Sequence, residues 1–183
     1  MMVIFFAGIG ASMHDFGRSV VVGRVAHDKP HDGVAWECFR YGNTLALLPM
    51  NDNQASAVIQ YIGQREGGLD KLKGKKIAHV FLSVAYGKEA NPILDTLARQ
   101  LGFQLTLLPV NPPGEDQKAT WLQVRRLNPN WIFMSGWGVM NRLAIKEAAA
   151  LGYPMDHFIG NWWSASDADV TPTGLAAKGY LGA

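Results

Sequence analysis

The sequence predicts an α/β fold built on a parallel sheet, and the second half of the chain indicates it in two ways. Short apolar runs typical of buried strands begin at residues 77, 103, 131 and 157, at intervals of 26, 28 and 26 residues. Each interval fits one strand, one helix and two turns, and the segments between the runs have the apolar spacing of amphipathic helices. Because crossovers between parallel strands are right-handed, we expect a Rossmann-like sheet with helices on both faces.

The predicted elements follow in order from residue 51. The first is a helix over 51–66, which opens with an Asn-Asp pair able to cap it. The strands are predicted over 77–84, 103–110, 131–135 and 157–162, and the helices between them over 88–101, 115–127 and 139–151. These three helices end at Gly102, Asn128 and Gly152, residue types that commonly terminate helices.

Residues 18–50 give a weaker pattern. The segment 27–33 is rich in turn-forming residues, and 34–48 shows neither a helical nor a strand period. We expect loop or irregular structure there, with a short strand over 44–48 left open.

Composition excludes several classes of protein. With 48% apolar residues in 183, the chain has enough apolar material for a folded domain. Its net charge of +2 gives no reason to expect a nucleic-acid partner. Cys38 is the single cysteine, so an internal disulfide is impossible. No apolar run reaches the roughly 18 residues that a membrane-spanning helix needs.

The apolar start of the chain, residues 1–13, allows two interpretations. A secretory signal peptide would have a positive charge before the apolar run and a small-residue cleavage site, and neither is clear here. A buried strand followed by a glycine turn is therefore the favoured interpretation.

Motifs for catalysis and cofactor binding are incomplete. Residues 8–10 resemble the start of a dinucleotide fingerprint, but Met13 stands where the third glycine or alanine belongs. Residues 74–75 lack the earlier glycine of a phosphate-binding loop and precede a strand, whereas that loop opens a helix. No Gly-x-Ser-x-Gly motif is present. We therefore expect no enzyme activity and no cofactor.

Three His-Asp pairs, at 14–15, 27–28 and 31–32, are the candidate metal ligands. Pro30 prevents a helix from aligning the last two pairs, and histidines in loops are usually solvated. Cys38 has no identifiable partner that would activate it as a nucleophile. We expect no metal site.

The candidate ligand site lies after the predicted strands, because parallel α/β sheets bind ligands outside the carboxyl ends of their strands. Four large aromatic residues fall there, namely Tyr86, Trp137, Trp162 and Trp163. Hydrogen-bonding groups accompany them at Ser83, Ser135, Asn161 and Ser164, and Lys88 is the one charged residue obvious there. This edge is suited to holding a small molecule. The alternative is that the aromatic side chains pack under loops or against another domain.

Several short motifs, in the same order along the chain, resemble one family. They are GKKIA at 74–78, AYGKE at 85–89, GF at 102–103, AAALGYP at 148–154 and FIG at 158–160. They are similar to the substrate-binding proteins of branched-chain amino-acid and amide ABC transporters, which are type I periplasmic binding proteins. In that family two Rossmann-like lobes close on a small solute, and the resemblance covers residues 54–183.

The resemblance implies a division of the chain. Residues 1–18 resemble a remnant of lobe one, with its strand and ligand-contacting turn. Residues 19–50 depart from the family and form a divergent or inserted segment. Residues 51–183 resemble lobe two, incomplete at its C-terminal end, so we expect a fragment of a two-lobed protein.

The resemblance also implies a function, that of the solute-binding receptor of an ABC importer, located in the periplasm or another extracytoplasmic space. Its partners would be the permease subunits. Tyr86 and Trp137 match family positions that contact the ligand, and Ser12 would contribute from lobe one. Trp162 stands where amino-acid-binding members commonly carry an acidic residue. An amino acid, an amide or an aromatic acid therefore remain alternative solutes.

Two other functions remain open. A doubly wound sheet alone would also suit a nicotinamide-dependent oxidoreductase, although the glycine fingerprint is missing. An effector-sensing domain of a transcription regulator shares the two-lobed architecture, although no helix-turn-helix is recognisable.

Overall fold

The computed structural model describes residues 36–40, 43–47 and 52–183, with side chains from Gln54 onward. The expected strand and turn of 1–18, with Ser12, lie outside the described residues. So do the three His-Asp pairs and the side chain of Cys38. Among the described residues, no helix has the length and apolar character needed to cross a membrane.

The described elements alternate strands and helices. The strands are β1 (Trp36–Arg40), β2 (Asn43–Leu47), β3 (Lys76–Leu82), β4 (Gln104–Val110), β5 (Trp131–Ser135), β6 (Phe158–Gly160) and β7 (Leu181–Gly182). The α-helices are α1 (Asp52–Glu66), α2 (Ala85–Lys88), α3 (Asn91–Leu101), α4 (Lys118–Leu127), α5 (Val139–Ala150) and α6 (Asp167–Val170). Short 3-10 segments lie at Leu69–Leu72, Met155–His157, Trp162–Ser164 and Thr171–Ala177.

Five strands form one parallel sheet in the order β4-β3-β5-β6-β7, which confirms the predicted fold class. In the register of the central strands, Ile77 lies beside Trp131 and His79 beside Phe133. β3 is the first strand of the sheet along the chain, and it lies between β4 and β5. The order of strands therefore reverses at β3, and such a reversal is where open α/β sheets bind ligands, outside the carboxyl ends of the strands.

Helices cover both faces of the sheet, and side chains alternate between the two faces along each strand. Odd-numbered residues of β3 and β5, such as Ile77 and Phe133, pack against α1 and α3. Even-numbered residues, such as Val80 and Met134, pack against α4 and α5. The strands therefore carry apolar residues on both sides, which is why they appear in the sequence as continuous apolar runs.

The predicted helix ends are confirmed. After α5, Gly152 has φ +69°, and its N–H donates to the Ala149 carbonyl while the Tyr153 N–H donates to the Ala148 carbonyl. This pair of bonds is a Schellman motif, in which a left-handed residue satisfies the last free carbonyls of the helix. Gly102 and Asn128 end α3 and α4 in left-handed conformations too.

The expectation of irregular structure is wrong at residues 36–40. Residues 36–40 form β1, which pairs antiparallel with β2 in a register that places Trp36 beside Leu47. The strand left open over 44–48 is present one residue earlier, at Asn43–Leu47. β1 has no strand period of its own and is stabilised by pairing with β2, and cross-strand pairing leaves no period along the sequence.

Three predicted elements differ from the expectation. The strand at 77–84 ends at Leu82, and the helix at 88–101 is divided into α2 and α3, because Pro92 lies in the first turn of a new helix. The strand at 157–162 is reduced to Phe158–Gly160 between two 3-10 segments. All three changes fall next to the carboxyl edge of the sheet, where the candidate site lies.

Candidate functional site

Four aromatic side chains lie together at the carboxyl edge of the sheet, and we call them the aromatic wall. Tyr86 lies on α2, Trp137 follows β5, and Trp162 and Trp163 follow β6. The Trp137 and Trp163 rings are stacked, with centroids 4.9 Å apart and planes 11° apart. Tyr86 meets Trp137 edge-on at 6.1 Å, and Trp162 lies 4.3 Å from Trp163 at a 39° tilt. The four residues that the sequence predicted to meet therefore form one continuous row.

The wall is open to solvent over much of its surface. Trp162 is 55% exposed, Trp137 48% and Trp163 39%, while Tyr86 is partly buried. Scattered apolar side chains are normal on protein surfaces, whereas contiguous exposed aromatic rings commonly mark a binding surface. Trp121 and Trp131, which belong to a helix and a strand start, are fully buried, as their positions predict.

Gly87 allows α2 to pack directly on the end of β3. A Cβ atom at this position would overlap the main-chain carbonyl oxygen of Leu82, which cannot rotate away as a side chain would. The close approach places the neighbouring Tyr86 at the sheet edge. The glycine of the AYGKE motif is thus required by packing.

We expect Gly87→Ala to lower the free energy of unfolding by about 1–3 kcal/mol, because the added methyl group meets backbone. Urea denaturation followed by circular dichroism would measure the loss. Lys88→Ala, at an exposed position of the same short helix, is the matched control and should change stability by less than about 0.5 kcal/mol. Equal stabilities of Gly87→Ala and the unaltered chain would contradict the packing argument.

A buried hydrogen-bond network supports the wall from below. The side-chain amide nitrogen of Asn161 donates to the Tyr86 hydroxyl oxygen, and the side-chain oxygen Oδ1 of Asn161 lies 2.7 Å from the Ser164 hydroxyl. The Gly136 N–H donates to the same hydroxyl at 2.9 Å. Asn161 and Ser164 are almost completely buried. The network therefore connects the segments that follow β3, β5 and β6. These three segments carry the four aromatic residues of the wall.

Three of the four hydrogen-bonding residues expected to face a ligand are buried inside the protein, which corrects that expectation. Asn161 and Ser164 are used inside the network, and Ser135 is buried against His79. All three side chains are buried below the aromatic wall, where they form hydrogen bonds with other groups of the protein. Ser83 directly follows β3, is partly buried, and uses its N–H to bond the Val110 carbonyl at 2.7 Å.

Tyr86 is a neutral hydrogen-bond donor at the wall. Burial raises the pKa of its hydroxyl to about 12, although the hydrogen bond from Asn161 opposes part of that rise. The hydroxyl oxygen accepts from Asn161, so the hydroxyl hydrogen can be donated to another acceptor.

His79 is a buried polar residue to which the sequence analysis gave no role. Its Nδ1 lies 2.7 Å from the Asn91 Oδ1 and its Nε2 lies 2.9 Å from the Ser135 hydroxyl. The ring stacks on Phe81 and Phe133 at about 5 Å. Burial lowers the pKa of the imidazole to about 4, although the bond to Asn91 opposes this. A neutral histidine therefore ties the start of α3 to the end of β5, and its only sequence signal is a polar residue within an apolar run.

Asp169 adds a carboxylate at the same edge that the sequence analysis did not single out. Its Oδ2 accepts hydrogen bonds from the Asn141 amide nitrogen at 2.9 Å and the Ser166 hydroxyl at 3.1 Å. Within residues 54–183, no three His, Cys, Asp or Glu side chains are grouped so that they could hold a metal ion.

The parallel sheet, its helices and its open carboxyl edge have the architecture of one lobe of a type I periplasmic binding protein. The sequence model of the family described as periplasmic binding protein matches residues 17–183. The chain therefore belongs to the periplasmic binding protein family.

Solved structures with similar folds agree with this assignment. A protein described as an ABC transporter permease from the Pseudomonas fluorescens group is 49% identical, with a TM-score of 0.70 over 72% of this chain and 32% of that one. A branched-chain amino acid ABC transporter protein from Thermus thermophilus with bound valine is 22% identical, with a TM-score of 0.61 over 72% of this chain and 33% of that one. A solute-binding protein from Rhodopseudomonas palustris in complex with benzoate is 17% identical, with a TM-score of 0.56 over 69% and 33%.

The chain spans about a third of the length of these solved structures. Among curated proteins, 71 residues are 34% identical to ubiquinone hydroxylase UbiM of Neisseria meningitidis, which is 39% of this chain and 15% of that protein. That match covers too little of the hydroxylase to carry an argument about activity.

Proposed function

We propose that this chain contributes one lobe of the solute-binding receptor of an ABC importer, and that its aromatic wall forms one side of the solute site. The observation that carries the proposal is the row of three partly exposed tryptophans at the carboxyl edge of the sheet. This edge is where α/β proteins bind ligands, and the chain belongs to a family of binding proteins. Neither the family nor the three structures named above is described as a nicotinamide oxidoreductase or a transcription regulator.

The chemistry of the wall favours a flat, weakly polar solute. Stacked indole rings offer a large apolar surface, and Tyr86 offers a neutral donor to a carboxylate or amide oxygen. Trp162 brings no charge to meet an ammonium group, and the Asp169 carboxylate is already bonded to Asn141 and Ser166. An unpaired ammonium is costly to bury. We therefore place aromatic acids first, with amides and aliphatic amino acids as the alternatives. Benzoate and valine, bound in two of the similar structures, serve as probes of these alternatives.

The mechanism would be closure of two lobes on the solute. In this proposal residues 51–183 form lobe two, 1–18 belong to lobe one with Ser12 facing the solute, and 19–50 are a divergent or inserted segment. From lobe two, the solute is contacted by the aromatic wall (Tyr86, Trp137, Trp162 and Trp163) and by Ser83. The solute stabilises the closed form through contacts that the open form lacks, and the permease subunits recognise that form in an extracytoplasmic space. No bond of the solute is changed.

The test uses the indole N–H resonances of the tryptophans in the ¹⁵N-labelled chain, because NMR shift changes detect even millimolar binding. Benzoate, valine and acetamide are titrated separately. We expect the resonances of Trp137, Trp162 and Trp163 to shift with at least one of them. The buried Trp121 and Trp131 are internal controls whose resonances should stay in place. Movement confined to those two residues, or no movement with any solute, would count against the proposal.

Replacing Trp162 by alanine should weaken solute binding about tenfold while leaving stability nearly unchanged. Trp162 is the most exposed ring of the wall, so its removal costs little core packing but deletes a stacking surface. The affinity is measured by the indole titration and the stability by urea denaturation. Leu122→Ala removes another exposed apolar side chain, on α4, and is the matched control. A large loss of stability in Trp162→Ala would instead assign this ring to the core.

A further inference from the structure

Asn141, the third residue of α5, is completely buried beneath the aromatic wall. Its amide nitrogen donates to the Trp163 carbonyl at 2.9 Å and to the Asp169 carboxylate at 2.9 Å. Both partners are acceptors, which fixes the orientation of the amide, because a flipped amide would turn its oxygen toward them.

The amide oxygen of Asn141 faces the other tryptophan-bearing loop. It has no hydrogen-bond partner, and a Cβ atom at Gly136 would overlap it. Gly136 immediately precedes Trp137, so one buried side chain touches the main chain next to Trp137 and the carbonyl of Trp163 itself. These are the two residues whose rings stack at 4.9 Å.

The unpartnered amide oxygen of Asn141 lowers stability, but an apolar residue in its place would also remove the donor to the Trp163 carbonyl and the Asp169 carboxylate. What an apolar residue could not supply is the pair of donated bonds that hold the segment after β6 against α5.

We propose that Asn141 is a positioning residue, which holds Trp163 against Trp137 and thereby sets the affinity of the aromatic wall for its solute. The second half of this statement rests on the proposed function of the wall. The side chain acts through the main chain of the two loops, and the rings it holds make the contacts with the solute.

The test compares Asn141→Leu with two matched controls. Asp169→Asn keeps an amide oxygen where the carboxylate stood, so Asn141 can still donate to it and to Trp163. Tyr153→Phe removes a hydrogen bond to the Pro129 carbonyl at the amino-terminal edge of the sheet, and so reports on general destabilisation. Two quantities are measured: the nuclear Overhauser cross-peaks between the Trp137 and Trp163 rings, which need no solute, and the benzoate affinity from the indole titration.

We expect Asn141→Leu to lose the cross-peaks and to bind benzoate about 5–30-fold more weakly, while both controls keep the cross-peaks and the affinity. Cross-peaks retained in folded Asn141→Leu would overturn the proposal, and so would lost cross-peaks with unchanged affinity. If the unaltered chain binds no solute of the panel, the proposed function is wrong, and so is the proposal that Asn141 sets the affinity. The cross-peaks still decide whether Asn141 holds the pair.

A measurement on the unaltered chain covers the case in which Asn141→Leu does not fold. The Asn141 side-chain amide hydrogens should exchange with solvent at least tenfold more slowly than those of the exposed Asn111, because both are engaged in buried bonds. Exchange as fast as that of Asn111 would overturn the proposal.

Discussion

Replacing Trp131 by alanine is expected to lower the free energy of unfolding by about 3–5 kcal/mol, the largest effect of a substitution considered for this chain. Trp131 opens β5 and is fully buried. Its ring stacks on His157 at 4.1 Å, and its indole N–H donates to Glu66 at 2.8 Å. The alanine would leave a cavity between α1 and the sheet together with an unpaired glutamate oxygen. Urea denaturation of the full chain at neutral pH measures the loss.

Trp131→Phe separates the two contributions. Phenylalanine keeps most of the apolar volume and removes the indole donor, so we expect a loss of about 1–2 kcal/mol. The hydrogen bonds from Lys75 and Trp131 hold the pKa of Glu66 below its usual value, and that pKa should rise in the variant. Because Trp131 lies at the opposite edge from the aromatic wall, benzoate binding by folded Trp131→Phe should be unchanged. Equal losses in the two variants would refute the cavity argument.

Acidification from pH 6.5 to pH 4 is expected to remove about 3 kcal/mol of stability through His79 alone. Its folded-state pKa of about 4 lies below the ordinary value of 6.5, so the unfolded chain binds the proton more tightly. The stabilisation is therefore complete above pH 6.5 and is lost as the pH falls toward 4. Protonation would also place a second donor at Nε2, which now accepts from the Ser135 hydroxyl.

The contribution of His79 is isolated by comparing the unaltered chain with His79→Gln at pH 4, 5, 6 and 7. The other ionisable groups are the same in both proteins, so their effects cancel in the difference. Glutamine does not titrate, and the gap in stability between the two proteins should narrow as the pH falls. A gap that is the same at pH 4 and pH 7 would show that the buried imidazole does not resist protonation.

The sequence predicted the parallel sheet because the features that define its strands can be read from short stretches of the chain. Strands buried on both faces must be apolar throughout, and the crossover helices between them impose a nearly constant interval. The helix ends at Gly102, Asn128 and Gly152 could be predicted equally well. A left-handed conformation favours glycine or asparagine at that one position, so the residue type itself is the signal. β1 was missed because its residues show no strand period of their own and the strand is stabilised by pairing with β2.

The site was predicted in part. The rule that ligands bind at the carboxyl edge selected the four aromatic residues, and the structure brings them into one row. The same rule could not distinguish Ser164 and Asn161, which are buried under the wall, from residues that face solvent. It also passed over His79 and Asn141, because a polar residue in an apolar run or in a helix gives no sign of its partners.

By itself the sequence determined the α/β class and the order of its sheet-and-helix units, since these follow from periodicity and chain connectivity. It also predicted the edge at which a solute would bind. Only the tertiary structure decided which polar groups at that edge form hydrogen bonds within the protein. Hydrogen bonds such as Asn161 to Tyr86 and Asn141 to Trp163 join residues 75 and 22 positions apart. Their formation depends on directions and distances that arise only when the strands are packed side by side, and no pattern along the chain encodes those distances.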